Sequence, residues 1–268
     1  MGILGVGIGL NHAPSAYNRT MTAFIGLDLA WTPHHETGVC VLEETNGGVV
    51  LRKLCCRIST PEGFATMCES FGDDVVVAID APLVVEQHRR AEAELGRVYG
   101  SRHAGAYSAN IPFLTKMHGL AGPLLAGELQ AKGFQLDPEL LTARAFGRFA
   151  LEVFPHPAHV SLFRIPMGLK YKKGRVACRR IALAHYQAHL TRLLSRELPL
   201  VLAALEVQEL LALCAVEAKG KALKNLEDRL DALTCAYIAY HCWHHGRPGF
   251  EVFGCSDHGC IVVPRLVD

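Results

Sequence analysis

Neither sign of charge is in excess in this chain. Its 27 Lys and Arg stand against 26 Asp and Glu, a formal net charge of +1. Bulk electrostatics therefore supply no attraction to polyanions, membranes or acidic partners, and any such contact must come from a local patch. Aromatic residues are scarce at 7%, which leaves little material for extended stacking surfaces. No apolar run reaches the roughly 20 residues that a bilayer span needs. The segment Met1 to Leu10 is apolar but short, and it lacks the basic flank of a targeting leader. Internal repeats and low-complexity linkers are also missing. What remains is ample core material, 50% hydrophobic residues in a chain of 268, and this excludes disorder, collagen and coiled coil. The ten cysteines are scattered, Cys55 and Cys56 side by side and others inside helix-like apolar runs. That is no small secreted disulfide framework, and a reducing cytoplasm is the simplest setting for a soluble protein of this kind.

The polar stretch Asn11 to Thr20 marks residues 1–20 as a flexible extension, leaving 21–268 as one domain. Strands are predicted at Ala23 to Ala30, Gly38 to Glu43 and Val49 to Ile58, the last two joined by the Asn46-Gly47-Gly48 turn into a hairpin. Ser59-Thr60-Pro61-Glu62 supplies a cap, a first-turn proline and an acid for a helix to about Phe71. The continuous apolar run Val75 to Asp80 suits a strand covered on both faces. Residues 84–148 read as an inserted, mostly helical segment over one end of the sheet. A strand at Leu151 to Phe154 follows, with helices at Arg175 to Arg196, Val207 to Ala218 and Leu226 to His244, and short strands at Phe250 to Phe253 and Ile261 to Val263. The expected class is α/β with a mixed sheet.

Acids recur where strands or a helix would present them to one place. Asp28 lies in the apolar Ile25-Gly26-Leu27-Asp28-Leu29-Ala30-Trp31, where an ionised group is expensive unless paired, hydrogen-bonded or metal-bound. Asp80 ends the buried strand before Ala81-Pro82. Asp228 and Asp231 sit at i and i+3, on one face of a helix. Each has a plain structural alternative: a strand-end Asp can cap a turn, and acids in a first helical turn can simply complement the dipole. Together they offer the oxygen ligands that hard divalent ions prefer.

This arrangement resembles the RNase H-like nuclease superfamily, with an acid on the first strand, another at the end of the fourth and more on a late helix. Asp228-x-x-Asp231-Ala232 is similar to the late-helix motif of RuvC-type junction resolvases. More narrowly, several blocks resemble domain of unknown function family 429, described as predicted nucleases of RNase H fold. They are Gly26-Leu27-Asp28, Ala78-Ile79-Asp80-Ala81-Pro82, Arg89 with Glu92, Glu152-Val153-Phe154-Pro155, Lys170-Tyr171-Lys172-Lys173-Gly174-Arg175 and Leu230-Asp231-Ala232-Leu233. The resemblance covers about Ala23 to His244. It implies an RNase H-like sheet in β-β-β-α-β-α-β-α order and a site for two Mg²⁺ or Mn²⁺ ions. In that site Asp28 would bridge both ions, Asp80 would bind one and Asp231 the other, with Asp228 supporting or substituting. Two such ions activate water and stabilise the leaving oxygen in phosphodiester hydrolysis. The chain departs from RuvC-type enzymes in carrying Asp80 where they commonly have Glu. Glu152 reads either as an extra carboxylate facing the site or as a salt-bridge partner of Arg89 or Arg90.

From Arg164 to Arg180 there are seven Lys or Arg and no acid. Lys170, Lys172 and Lys173, on a Gly-bounded loop, are the better phosphate candidates, joined by Arg175 and, from the insertion, Arg89. Arg90, Arg97 and Arg102, with Tyr99 and Tyr107 as stacking surfaces, complete the expected nucleic-acid contacts. The spacings of His241, Cys242, His244, His245, Cys255, His258 and Cys260 fit no standard zinc site. Ser108 lacks a nucleophile elbow, Cys40 lies within a strand, and Gly5-x-Gly7-x-Gly9 has no βαβ context. The leading reading is a divalent-metal-dependent nuclease acting on DNA or RNA, a homodimer if it follows the junction resolvases. The alternatives are a non-catalytic nucleic-acid or protein binding module that keeps the fold, and an actin-like or sugar-kinase-type phosphotransferase. Against the last, Leu29-Ala30-Trp31-Thr32-Pro33 lacks a Gly-rich phosphate loop.

Overall fold

A computed structural model describes residues 21–32 and 34–265. The extension expected over residues 1–20 lies outside the described residues. β1 (Ala23–Asp28), β2 (Thr37–Thr45) and β3 (Gly48–Arg57) form an antiparallel meander. Thr45 faces Gly48 across the Asn46-Gly47 connection, as the Asn-Gly signal predicts. α1 (Pro61–Glu69) begins where the Thr60 hydroxyl accepts a 3.0 Å hydrogen bond from the Gly63 N–H, with Pro61 in the first turn. β4 (Val75–Ile79) pairs parallel with β1, and β5 (Arg148–Glu152) parallel with β4. The sheet order is β3-β2-β1-β4-β5, the RNase H-like mixed arrangement.

The segment between β4 and β5 is mostly helical, with α2 (Ala91–Tyr99), α3 (Ile111–Lys116) and α4 (Ala121–Ala131). Beyond β5 come α5 (Pro155–Leu162), α6 (Val176–Glu197), α7 (Pro199–Leu202), α8 (Leu205–Ala212) and α9 (Gly220–His245). The hairpin of β6 (Phe250–Cys255) and β7 (Gly259–Pro264) completes the described order. No described helix is long and apolar enough to cross a membrane.

Strand alternation divides the core. Phe24, Cys40, Leu42, Val76, Ala78, Phe149 and Leu151 pack with α6 and α9 on one face. Ala23, Ile25, Leu27, Val39, Val41, Val77, Ile79 and Ala150 pack against α1 and α4 on the other. By the same parity Gly26, Asp28 and Asp80 belong to the α9 face. The second half of α9 is buried almost all round, as befits a helix laid across a sheet and covered by α6.

Several boundaries differ from the sequence reading. β5 runs from Arg148 to Glu152 rather than from Leu151 to Phe154. The helix expected to reach Ala218 leaves helical geometry at Leu213, where ψ is 125°. α9 starts before Leu226 because its first turn, Gly220-Lys221-Ala222-Leu223, lacks the apolar period that the sequence reading relied on. α5 is not anticipated from the sequence; Pro155 and Pro157 fit its first turn, where prolyl nitrogens have no bond to lose.

Candidate metal centre

Asp28 ends β1 and Asp80 follows β4, side by side in parallel register, with the Asp80 N–H donating to the Leu27 carbonyl at 2.8 Å. Both lie at the carboxyl ends of strands, where open α/β sheets place their ligands. α9 brings Asp231 over them, and carboxylate oxygens of Asp28, Asp80 and Asp231 all lie within 4.8 Å of one another. The helix can come this close because two strand positions have no side chain. A Cβ on Gly26 would stand 2.0 Å from the Ala232 carbonyl oxygen, and one on Gly38 2.1 Å from that of Asp228.

The ammonium of Lys172 reaches into the trio, 2.8 Å from Asp231 Oδ2, 3.2 Å from Asp80 Oδ2 and 3.6 Å from Asp28 Oδ1. Burial opposes the lysine's charge, but Asp231, Asp28 and Asp80 outweigh it and hold its pKa well above the ordinary value. Asp231 is fully buried. Burial works against its ionised form, yet Lys172 and the Tyr171 hydroxyl keep it below the usual carboxylate range. Tyr171 and Tyr186 donate to Asp231 Oδ1 at 2.7 and 3.0 Å, and the Thr234 hydroxyl bonds Tyr186 at 2.6 Å. His156 stacks on Tyr171 with ring centroids 5.0 Å apart. Burial depresses it to about 4 and holds His159 well below the usual imidazole range, so both imidazoles are neutral wall material.

Asp228 is almost wholly buried, ion-paired through Oδ1 with Lys224, while its Oδ2 has no hydrogen-bond partner among the described residues. Burial first, and then the Asp28 charge, push it up to about 8. Asp80 is pushed up to about 7 by burial; Lys172 pulls it down, and Asp28 and Asp231 push it back. Four carboxylates thus face two lysines. Either two protons or one divalent cation closes the balance. The oxygen-only donor set and the short mutual distances of Asp28, Asp80 and Asp231 fit a hard divalent ion.

The sign of the pH effect follows for Asp80. Its carboxyl titrates near 3.9 in an unfolded chain and about 7 when folded. Its contribution to stability is therefore full below about pH 4 and lost as pH rises through about 7. In urea melts of metal-free protein, Asp80→Asn should gain on the wild type from pH 4 to pH 7 and hold a constant difference above that. A difference independent of pH would show that Asp80 is ionised throughout.

The remaining expected site residues sort by where they fall. Glu152 is on the opposite parity to Asp28 and Asp80, paired with Ile79 on the α1 and α4 face. It does not join the trio. Arg89, expected to meet substrate, is instead only 2% exposed in its side chain and bridges Glu152 and Glu92, with its Nη1 donating to the Val84 carbonyl at 2.6 Å. Burial opposes the guanidinium charge, and the two glutamates override it. Arg89→Met would leave two carboxylates buried without a counter-charge and should cost about 3–5 kcal/mol. Chemical denaturation measures this, and adding Glu92→Gln and Glu152→Gln should restore much of it. Lys172 is drawn from the expected phosphate loop into the carboxylates because their charges converge there, whereas Lys170, Lys173 and Arg175 remain exposed. Tyr99 is buried against Phe253 and offers no stacking face. His241 gives its Nε2 to the backbone oxygens of Gly249 and Arg265. The sequence reading missed Tyr171, Tyr186, Thr234 and Lys224. Lys224 was legible as the i, i+4 partner of Asp228, and Tyr171 stood inside a block read only for its charge.

An RNase H-like sheet carrying clustered acids at the carboxyl ends of its central strands defines an α/β protein with a candidate divalent-cation centre. The chain belongs to the family described as "Protein of unknown function (DUF429)", which matches residues 26–250. No significant match is found among curated proteins or among solved structures.

Proposed function

We propose that this protein is a divalent-metal-dependent nuclease that hydrolyses phosphodiester bonds in DNA or RNA. The observation that carries this reading is the convergence of Asp28, Asp80 and Asp231 within 4.8 Å, in a cluster whose carboxylates outnumber its lysines. Asp28, Asp80 and Asp231 would hold Mg²⁺ or Mn²⁺, which supplies an activated water and charge for the departing oxygen. Tyr171 and Tyr186 fix the rotamer of Asp231 through Oδ1, so that Oδ2, which Lys172 approaches in the metal-free protein, is the oxygen that would face a cation. Asp228, pushed up to about 8, keeps a proton near neutral pH and supports Asp28 without adding a full fourth charge. Lys172, 30% exposed on a flexible stem, balances the acids in the absence of metal, and Lys170 and Lys173 stand outside as phosphate contacts. All ten cysteines are unpaired, which suits a reducing compartment.

Divalent ions should stabilise the fold by mass action, by about 2.7 kcal/mol at a concentration one hundred times Kd, and so raise the melting temperature. Mn²⁺ or Mg²⁺ should then support cleavage of one class among labelled single strands, duplexes, hybrids and four-way junctions. A second reading rests on the Lys172 contacts: the trio already holds a cation of its own chain, as a binding module that retains the fold would. Melting indifferent to millimolar Mn²⁺, together with binding and no cleavage, selects that reading over the nuclease.

A further inference from the structure

Next to the carboxylate centre, a cavity of about 140 Å³ is walled by Trp31, Phe154, Tyr107 and Phe113, with Glu92 and Glu152 also lining it. It adjoins the carboxylate site, because Asp80, Trp31 and Phe154 also border a second cavity of about 370 Å³ that is lined by Asp28 and Lys172. In a chain so poor in aromatics, four of them around one small space is a concentration of stacking material. Trp31 and Phe113 stand edge to face, 6.5 Å apart at 88°, and Trp31, Phe113 and Tyr107 are exposed, the last at 78%. Trp31 and Phe113 are left open to a ligand, unlike the buried Tyr171 and Tyr186, and Tyr107 carries the Lys173 ammonium over its ring.

We propose that this cavity receives one unstacked nucleobase of a single-stranded nucleic acid, and that its carboxylates favour a base bearing an exocyclic amino group. The inference rests on the nuclease reading for its substrate class and deepens it. The volume admits one planar ring system and no duplex. Aromatic side chains stack bases of any sequence, worth about 1–3 kcal/mol each. Lys173 places its ammonium 3.9 Å from the Tyr107 ring centre and 2.6 Å from its hydroxyl, a cation at the rim where the phosphate next to a stacked base would lie. Glu92 is 7% exposed and takes Arg89 through Oε1 alone. Among the described residues no group donates to its Oε2. That acceptor suits an amino group, as on cytosine or adenine, and repels the carbonyl that thymine or uracil presents instead.

The chain reports on this site by itself. Of its two tryptophans, Trp243 is buried with its Nε1 donating to the Ala145 carbonyl, so a quencher in solution reads Trp31. In EDTA, dC oligonucleotides should quench Trp31 emission and bind roughly tenfold tighter than dT, than the same strand with a single abasic site, and than a blunt duplex. Tyr107→Ala, at an exposed position, should weaken dC binding roughly tenfold without lowering the melting temperature. Cleavage in Mn²⁺ is scored on the same strands. Cleavage without any dependence on the base, or equal affinity for abasic and intact strands, overturns the base site and leaves the nuclease reading standing. Base-dependent quenching with no cleavage of any strand upholds the base site and removes the nuclease. Tighter binding of dT than of dC overturns the amino preference.

Discussion

Asp28→Asn should lower metal-dependent phosphodiester cleavage by about a thousandfold or more, equivalent to about 4 kcal/mol of barrier, with the fold intact. The substitution keeps the size of the side chain and removes one of the three carboxylate charges of the trio. It also removes the repulsion that helps push Asp80 and Asp228 up, so the metal-free variant should melt no lower than the wild type. Activity and stability therefore move in opposite directions, the pattern of a group held for its chemistry at a cost to the fold. Cleavage assays on the purified variant beside the wild type, with melting followed in EDTA, check both halves. Activity that survives Asp28→Asn belongs to a different site or to a contaminant.

Gly26→Ala should be the most damaging single-methyl change in the sheet. The added Cβ would meet the Ala232 oxygen at 2.0 Å and the Ala236 nitrogen at 2.3 Å, both backbone atoms of α9 that no rotamer change can move. Overpacking of this kind typically costs about 1–3 kcal/mol, and with both obstacles in a buried helix the expected loss is at the upper end. Whatever protein folds should have α9 displaced from β1, carrying Asp231 away from Asp28. Weakened Mn²⁺ stabilisation should therefore accompany the lower urea midpoint. A variant with unchanged midpoint and metal response would mean that the helix and strand have room that the structure does not show.

The carboxylates were legible because they break a pattern. Asp28 and Asp80 interrupt apolar strands, and Asp228 and Asp231 fall on one helical face, so periodicity alone sets them apart. The central sheet was legible for the same reason, through the Asn46-Gly47 turn, the Thr60 cap and the unbroken run of β4. The role of Glu152 was harder. Its parity could have been counted only with β5 placed at Arg148–Glu152, and the sequence reading placed that strand three residues too late. Arg89 and Lys172 show a more general limit. Local sequence identifies a cation, while whether it meets solvent or a buried carboxylate depends on elements far away in the chain. The tyrosines that orient Asp231 were invisible for a related reason, since a buried phenol and a core ring look alike until their partner is known.

The order of the elements has a consequence for how the protein is made. Asp28 lies on the first strand and Asp231 on the last long helix, so on a ribosome adding about 5–20 residues per second the two acids are made roughly 10–40 s apart. Until α9 emerges, the face bearing Phe24, Cys40, Leu42 and Val76 has no lid, and the growing chain offers a sticky apolar plane to chaperones and to its neighbours. Contacts so distant in sequence also make folding slow. On the nuclease reading proposed above, the same delay is protective: the charge centre cannot assemble beside the messenger RNA that encodes it until α9 has been released.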